Sequence, residues 1–284
     1  MLYFHANLPY SIALLVLLCV SCKRPTSEAV QEAKPAPIVQ ALPIALADGL
    51  HKSKTEQHRI KSKILGYDLQ YWVHLPKGYQ EGLSYPTIYV TDGFWYKNQG
   101  ELLKITDRLI KKEKIEPIIT ILVDAISPDN RNDNRREYQF LCNPTYVDFY
   151  RDELIPHIDK SYATDTSRVN RAMLGLSFGG LNSMYFGLLA NDIFGKLGIQ
   201  SPAPHPCPDI YEAYRNSPRL PIDIYLSTGT VNDKEVATRR LKGILEEKGY
   251  DFAYQEVPEG HNWANWKPLL DDVLLRFYGA EGQR

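Results

Sequence analysis

From Thr87 onward the chain alternates short, nearly unbroken apolar runs with longer stretches in which apolar residues recur every three or four positions. Apolar runs of roughly four to eight residues bounded by Gly, Pro, Asn or Asp read as strands buried on both faces, and the longer periodic stretches as helices laid against them. The pattern predicts strands at His58–Ile64, Leu69–Leu75, Thr87–Thr91, Ile118–Asp124, Arg171–Leu174, Leu197–Gln200, Ile222–Ser227 and Phe252–Val257. It predicts helices at Gly100–Lys112, Tyr146–Ser161, Leu181–Ala190, Lys234–Lys248 and Trp263–Phe277. Strands alternating with helices require a largely parallel sheet joined by right-handed crossovers, hence an α/β fold whose mostly parallel central sheet is flanked by helices. No long insertion separates the last strands, so no large lid domain is expected, and the cleft should be open and shaped by loops.

The amino-terminal stretch departs from this pattern. Ile12–Val20 is a single apolar run of signal-peptide length, too short to span a bilayer comfortably, and Ser21-Cys22 ends it before Lys23-Arg24-Pro25. It resembles a bacterial lipoprotein signal cleaved before Cys22, whose sulfur would carry the lipid. Cys19 stands where such signals usually hold leucine, and no Lys or Arg precedes the apolar run, so ordinary secretion and an uncleaved anchor stay open. Thr26 to Ala47 is rich in Ala, Pro, Glu and Gln with little to bury, as suits a flexible tether. The chain thus divides into a signal at 1–22, a tether at 23–57 and one folded domain at 58–284. The expected address is exported and lipid-anchored, facing the periplasm or the cell surface.

Of 284 residues, roughly 220 to 230 remain for that domain, ample for one α/β core. The formal charge of −1 gives no reason to expect nucleic acid or an acidic membrane surface as a partner. Outside the targeting segment there is no Gly-rich phosphate loop, H-E-x-x-H or paired C-x-x-C, so neither cofactor nor metal is expected. After cleavage only Cys142 and Cys207 would accompany the lipidated cysteine. Export permits a disulfide between them, which sequence alone does not decide.

Gly175-Leu176-Ser177-Phe178-Gly179 carries the clearest chemistry. It is a G-x-S-x-G elbow with an apolar strand before it and a helix after it, the setting that lifts a serine hydroxyl out of a sheet into a cleft. The glycines two before and two after the serine are needed because a Cβ there would clash in the strained turn. The partners follow in the order serine, acid, histidine. Thr230-Val231-Asn232-Asp233 places a carboxylate just beyond the Ile222–Ser227 strand, and Pro258-Glu259-Gly260 delivers His261 beyond the Phe252–Val257 strand. A serine hydroxyl is a poor nucleophile at neutral pH, so His261 would take its proton while Asp233 holds the imidazole in the right tautomer. Glu235 competes for the acid's role but should already lie in the next helix, and Asp233 also reads as a helix N-cap. Among the remaining histidines only His205, in Pro204-His205-Pro206, rivals His261; it precedes the acid and reads as a pocket residue or a plain loop residue.

Acyl transfer also needs two N–H donors for an oxyanion. The backbone of Phe178 should be one. Phe94, in the turn Asp92-Gly93-Phe94-Trp95 after the Thr87–Thr91 strand, should be the other, with Gly93 letting the backbone approach the substrate.

These features together resemble the esterase D and enterochelin esterase group of α/β-hydrolases, which also includes feruloyl and acetyl-xylan esterases. The resemblance covers roughly Lys61 to Tyr278. It rests on Tyr89-Val-Thr-Asp-Gly-Phe-Trp95, Leu122-Val-Asp-Ala-Ile126, Asn134-Arg-Arg-Glu-Tyr138, Phe149-Tyr-Arg-Asp-Glu-Leu-Ile-Pro-His-Ile-Asp159, Ala172-Met-Leu-Gly-Leu-Ser-Phe-Gly-Gly180, Glu259-Gly-His-Asn-Trp263 and Trp266, in this order. It implies an α/β-hydrolase fold, a Ser177, Asp233, His261 triad and hydrolysis of carboxylic esters without a cofactor. It also implies an arginine and an acidic residue near the substrate, in the zone that Arg135, Arg136 and Glu137 occupy; a surface ion pair on a loop is the competing reading.

The substrate is less legible. Phe94, Trp95, Tyr96, Phe178, Trp263 and Trp266 gather by motif around the site, and aromatic walls suit a feruloyl ring, a catecholate or a sugar face. Trp95 and Trp263 are the aromatic candidates for substrate contact, whereas Trp266 is expected to pack the last helix. An exported address favours siderophore trilactones or acyl groups on polysaccharides. A surface binding protein that keeps the fold without catalysis, and an acyltransferase using the same three residues, are the alternatives. No obligate protein partner is evident.

Overall fold

A computed structural model of the chain describes residues 50–279. Eight strands form one sheet: β1 (Lys54–Lys61), β2 (Asp68–Leu75), β3 (Thr87–Val90), β4 (Ile119–Val123), β5 (Arg171–Leu176), β6 (Lys196–Gln200), β7 (Asp223–Gly229) and β8 (Phe252–Val257). Their order across the sheet is β1-β2-β4-β3-β5-β6-β7-β8. β1 pairs antiparallel with β2, and β2 with β4; every other pairing is parallel. All eight expected strands are present. β1 begins at Lys54, however, so residues 54–57 belong to the sheet and not to the tether. Lys54-Thr55-Glu56-Gln57 has a tether-like composition, but an edge strand needs only backbone pairing on one side, here from Lys54↔Leu75 to Gln57↔Trp72. The expected signal, Cys22 and most of the tether lie outside the described residues.

Successive residues of the central strands feed opposite layers, as strand geometry requires. In β3, Ile88 and Val90 pack with Leu122, Leu174 and Trp72 on one face, while Tyr89 joins Ile121, Met173 and Leu197 on the other. The first layer holds α1 (Gly93–Asn98), α2 (Leu102–Lys111), α9 (Trp263–Trp266) and α10 (Leu270–Tyr278). The second holds α3 (Arg136–Phe140), α4 (Pro144–Phe149), α5 (Ile155–Ser161), α6 (Phe178–Leu189), α7 (Ile210–Asn216) and α8 (Glu235–Glu247).

Two expected helices are interrupted, each at a proline. The helix expected over Tyr146–Ser161 runs through α4, a π-turn at Tyr150–Leu154 and α5. Pro156 cannot donate to the carbonyl one turn earlier and its ring crowds that carbonyl, so a widened turn precedes it. The helix expected over Trp263–Phe277 is split into α9 and α10, because Pro268 has no N–H to donate to the carbonyl one turn earlier and its ring crowds that carbonyl, although Lys267 keeps helical dihedrals. α1, α3 and α7 are short helices in stretches expected to be loops.

Parallel strands direct their carboxyl ends to one edge of the sheet, and the loops after β3 to β8 gather there. The connection from β6 to β7 contains only α7, so no lid domain covers this edge among the described residues. A disulfide between Cys142 and Cys207, with Cα atoms 6.4 Å apart, ties the α3–α4 corner to the loop after β6.

Candidate active site

Ser177 stands alone between β5 and α6 with φ 56° and ψ −118°, a backbone conformation that L-residues rarely adopt. Sterics around it explain the flanking glycines. A Cβ on Gly175 would sit 2.2 Å from the Gly179 carbonyl oxygen, and one on Gly179 would sit 2.5 Å from Thr91 Oγ1. The tight turn therefore presses α6 directly onto β3 and β5 and leaves the serine side chain pointing off the sheet's end.

Three loops then bring the chemistry together. His261 Nε2 lies 2.9 Å from Ser177 Oγ, and His261 Nδ1 is hydrogen-bonded to Asp233 Oδ1. Asp233 has no exposed side-chain surface. Burial opposes its ionisation, but hydrogen bonds from His261, from Ser201 and from the Gly229 N–H outweigh burial and hold its carboxyl at about 2. An ionised carboxylate only accepts, so Nδ1 must carry the imidazole proton and Nε2 presents a lone pair to the serine O–H. The arrangement can therefore take a proton from Ser177 without moving any heavy atom far. Glu235, the rival acid, opens α8, and no hydrogen bond joins it to His261 among the described residues.

Of the two expected oxyanion donors, the Phe178 N–H opens α6, where an amide has no intrahelical acceptor. The Phe94 N–H is turned to the Asp124 carboxylate, which engages it. Asp124, at the end of β4, is pushed up to about 6, chiefly by burial and further by the nearby Asp92 charge, against hydrogen bonds from backbone N–H groups. Gly93 is required for a different reason from the one expected: a Cβ there would meet the Leu122 backbone carbon at 2.8 Å, so the glycine lets α1 pack on β4.

Arg136 reaches the same region from α3. Its guanidinium forms a bidentate pair with buried Asp92, at 2.7 and 3.0 Å, and lies over the Trp95, Phe178 and Phe140 rings. Asp92 precedes Gly93 with φ 56°, and burial pushes its carboxyl up while Arg136 pulls it back. His205 is exposed, with its ring 5.6 Å from that of Phe178. Arg136, Trp95, Phe178 and His205 thus form one wall beside Ser177. Arg135 does not join it, since its guanidinium bonds Asp133 and the Asp68 carbonyl and covers Tyr67. Glu137 is exposed on the first turn of α3. Trp263 packs edge-on against Tyr96 and Trp266 and closes over Gly100, anchoring α9 to α1.

Several neighbours of Asp233 escape a reading by motif. Its Oδ2 receives Ser201 Oγ at 2.6 Å, Thr228 Oγ1 at 3.0 Å, the Gly229 N–H at 2.5 Å and Asn265 Nδ2 at 2.9 Å. Trp266, expected only to pack, does so, but its ring also meets the His261 imidazole edge-on at 4.9 Å.

Comparison with known proteins bears on the family and the fold. The family described as "Putative esterase" matches residues 62–277. Bacillus subtilis YjcH, an uncharacterized protein, is 26% identical over 233 residues, covering 78% of this chain and 96% of that protein. The endo-1,4-beta-xylanase/feruloyl esterase of Xylanibacter ruminicola is 28% identical over 223 residues, covering 72% of this chain but 29% of that larger protein. Among solved structures, a ferulic acid esterase superposes with a TM-score of 0.71 at 19% identity, over 81% of this chain and all of that one. The enterobactin esterase of Shigella flexneri gives 0.71 at 20% identity, over 79% of this chain and 58% of that one. With a match running from just before β2 into the last helix, the chain belongs to this esterase family and shares its α/β fold with feruloyl and enterobactin esterase structures.

Proposed function

We propose that the protein is a serine carboxylic-ester hydrolase that works through an acyl-enzyme. The observation that carries this reading is the continuous hydrogen-bonded chain from Asp233 through His261 to Ser177 Oγ. His261 Nε2 takes the serine proton as Oγ adds to the ester carbonyl, and the oxyanion is held by the Phe178 N–H, with the Phe94 N–H, engaged by Asp124 in the free site, as the second donor once it turns to the oxyanion. The proton on Nε2 then passes to the departing alkoxide, leaving Ser177 acylated. Water, deprotonated by the same nitrogen, adds to the acyl carbon and releases the carboxylic acid, which restores the serine hydroxyl.

The wall of Trp95, Phe178, Arg136 and His205 supports an aromatic acyl group: ring faces take a planar ring, and the guanidinium attracts a phenolate or catecholate oxygen. Two ester classes have this chemistry, a hydroxycinnamoyl group on a polysaccharide and a catechol-bearing trilactone, and the named relatives act on feruloyl and enterobactin esters. The Cys142–Cys207 bond supports an oxidising, extracytoplasmic address, as does the signal-like segment ending at Cys22.

Purified protein should release product from methyl ferulate or a catecholate trilactone faster than from acetylated xylan, with p-nitrophenyl acetate as a general reporter. Ser177→Ala should lower turnover by several orders of magnitude. Binding of these esters without release would replace the hydrolase with a binding protein, and products on a sugar hydroxyl would replace it with a transferase. Intact mass of the membrane fraction should show a mature chain beginning at lipidated Cys22; a soluble, unlipidated chain would point to ordinary secretion.

A further inference from the structure

Ser201 is the first residue after β6 and is fully buried. It holds φ 42°, a conformation that costs a non-glycine residue on the order of 1 kcal/mol. Its amide donates to the Ser227 carbonyl at 2.7 Å, an interaction that glycine would make equally well. What glycine would lack is the hydroxyl, and the surroundings of that hydroxyl are fully specified.

Trp266 Nε1 lies 2.9 Å from Ser201 Oγ, and an indole N–H can only donate. Asn265 Nδ2, another donor, lies 3.2 Å from the same oxygen. The serine oxygen therefore accepts on that side, and its single proton is left for Asp233 Oδ2, 2.6 Å away, which can only accept. Every proton in the line from Trp266 through Ser201 to Asp233 is thus directed one way. Trp266 also touches the other member of the Asp–His pair, since its ring meets the His261 imidazole edge-on at 4.9 Å. Its own position is set by Gln200, whose Nε2 donates to the Trp266 carbonyl at 3.0 Å while its Oε1 accepts from Tyr96.

We propose that Trp266, acting through the Ser201 hydroxyl, is a positioning residue for the Asp233–His261 pair. The inference rests on the serine-hydrolase reading above. Without the indole N–H the Ser201 oxygen keeps only the longer contact from Asn265 Nδ2, at 3.2 Å, and its hydroxyl is held less firmly towards Asp233. The carboxylate then loses one of the contacts that fix its rotation, and with it the alignment of His261 towards Ser177.

Three variants test this. Ser201→Gly removes the hydroxyl while relieving the left-handed backbone, so it should melt no lower than the wild type minus one hydrogen bond. Trp266→Phe keeps a ring against His261 and loses only the N–H. Each should lower kcat on p-nitrophenyl acetate about tenfold to a hundredfold with KM nearly unchanged, the range expected for one hydrogen bond to a charged group. The double variant should be no slower than Ser201→Gly alone, because Trp266 acts through that hydroxyl. Wild-type kcat in either single variant, or independent multiplying effects in the double one, would overturn the proposal.

A second readout does not depend on turnover. The downfield proton resonance of His261 Nδ1–H should move in both single variants, and an unmoved resonance in both also overturns the proposal. If the wild type turns over no ester, the hydrolase reading fails, while the resonance still reports whether Trp266 and Ser201 position the pair.

Discussion

Asp233 spends one carboxylate oxygen on His261 and the other on four donors, which makes its replacement by asparagine informative. An amide N–H must occupy one of those two sides, and on either it faces another donor. Asp233→Asn should lower kcat on the order of a thousand- to ten-thousand-fold by spoiling the imidazole tautomer. Undiminished turnover would hand the acid's role to Glu235. Asp124 makes a prediction of opposite electrostatic sign. Its carboxyl is raised to about 6, so between about pH 4 and pH 6 the unfolded chain has released this proton and the folded one has not. Stability therefore falls as pH rises through that window. Melts of wild type and Asp124→Asn at pH 4 and pH 7.5 should show the gap move in favour of the variant by up to about 3 kcal/mol; a pH-independent gap rules this out. Ser177, Asp233 and His261 could be located in the sequence because each has a local signature: an elbow, a strand end, a turn. Ser201 and Trp266 have none. Their roles come from contacts spanning 32 and 65 residues of chain, and such contacts exist only once the sheet has formed.

At the level of elements, the wall beside Ser177 is assembled from separate pieces: α1 supplies Trp95, α3 supplies Arg136, and the loop after β6 supplies His205. The Cys142–Cys207 bond joins the last two, closing a separation of 65 residues. Replacing both cysteines by serine should lower stability by about 2 to 4 kcal/mol. It should also raise KM for methyl ferulate more than for p-nitrophenyl acetate, because only the larger acyl group needs both parts of the wall. An equal effect on the two esters would show that the bond serves stability alone. The longer helices were legible from their period. The three missed ones span only five to seven residues. α1 and α3 also lack a side-chain N-cap, so neither a full apolar stripe nor a capping signal marks them. The break between α9 and α10 was legible in principle, since Pro268 marks it. The four apolar residues of Leu270-Val273-Leu274-Phe277 continue the helical period of Trp266 across the proline and conceal it.

For the whole molecule, the alternation of strands and helices was enough to establish a mostly parallel sheet, whereas the order of its strands was not legible. The polar, alternately exposed residues of β1 mark it as an edge strand, but nothing in β2 names its partners, and β4 enters between β2 and β3 through pairings that only the folded chain reveals. That order places β3 and β5 side by side at the centre, which brings the turn bearing Phe94 next to the elbow bearing Ser177. The short crossover between β6 and β7, which carries only α7, has a kinetic consequence. Hydrolases roofed by a hinged segment jump in rate at an oil–water boundary, where the roof is drawn aside. Among the described residues nothing of that kind must swing away before an ester reaches the serine. Velocity against a short-chain ester should therefore climb smoothly past the substrate's solubility limit, and a sharp break at that limit would mean that some part of the chain does form a roof.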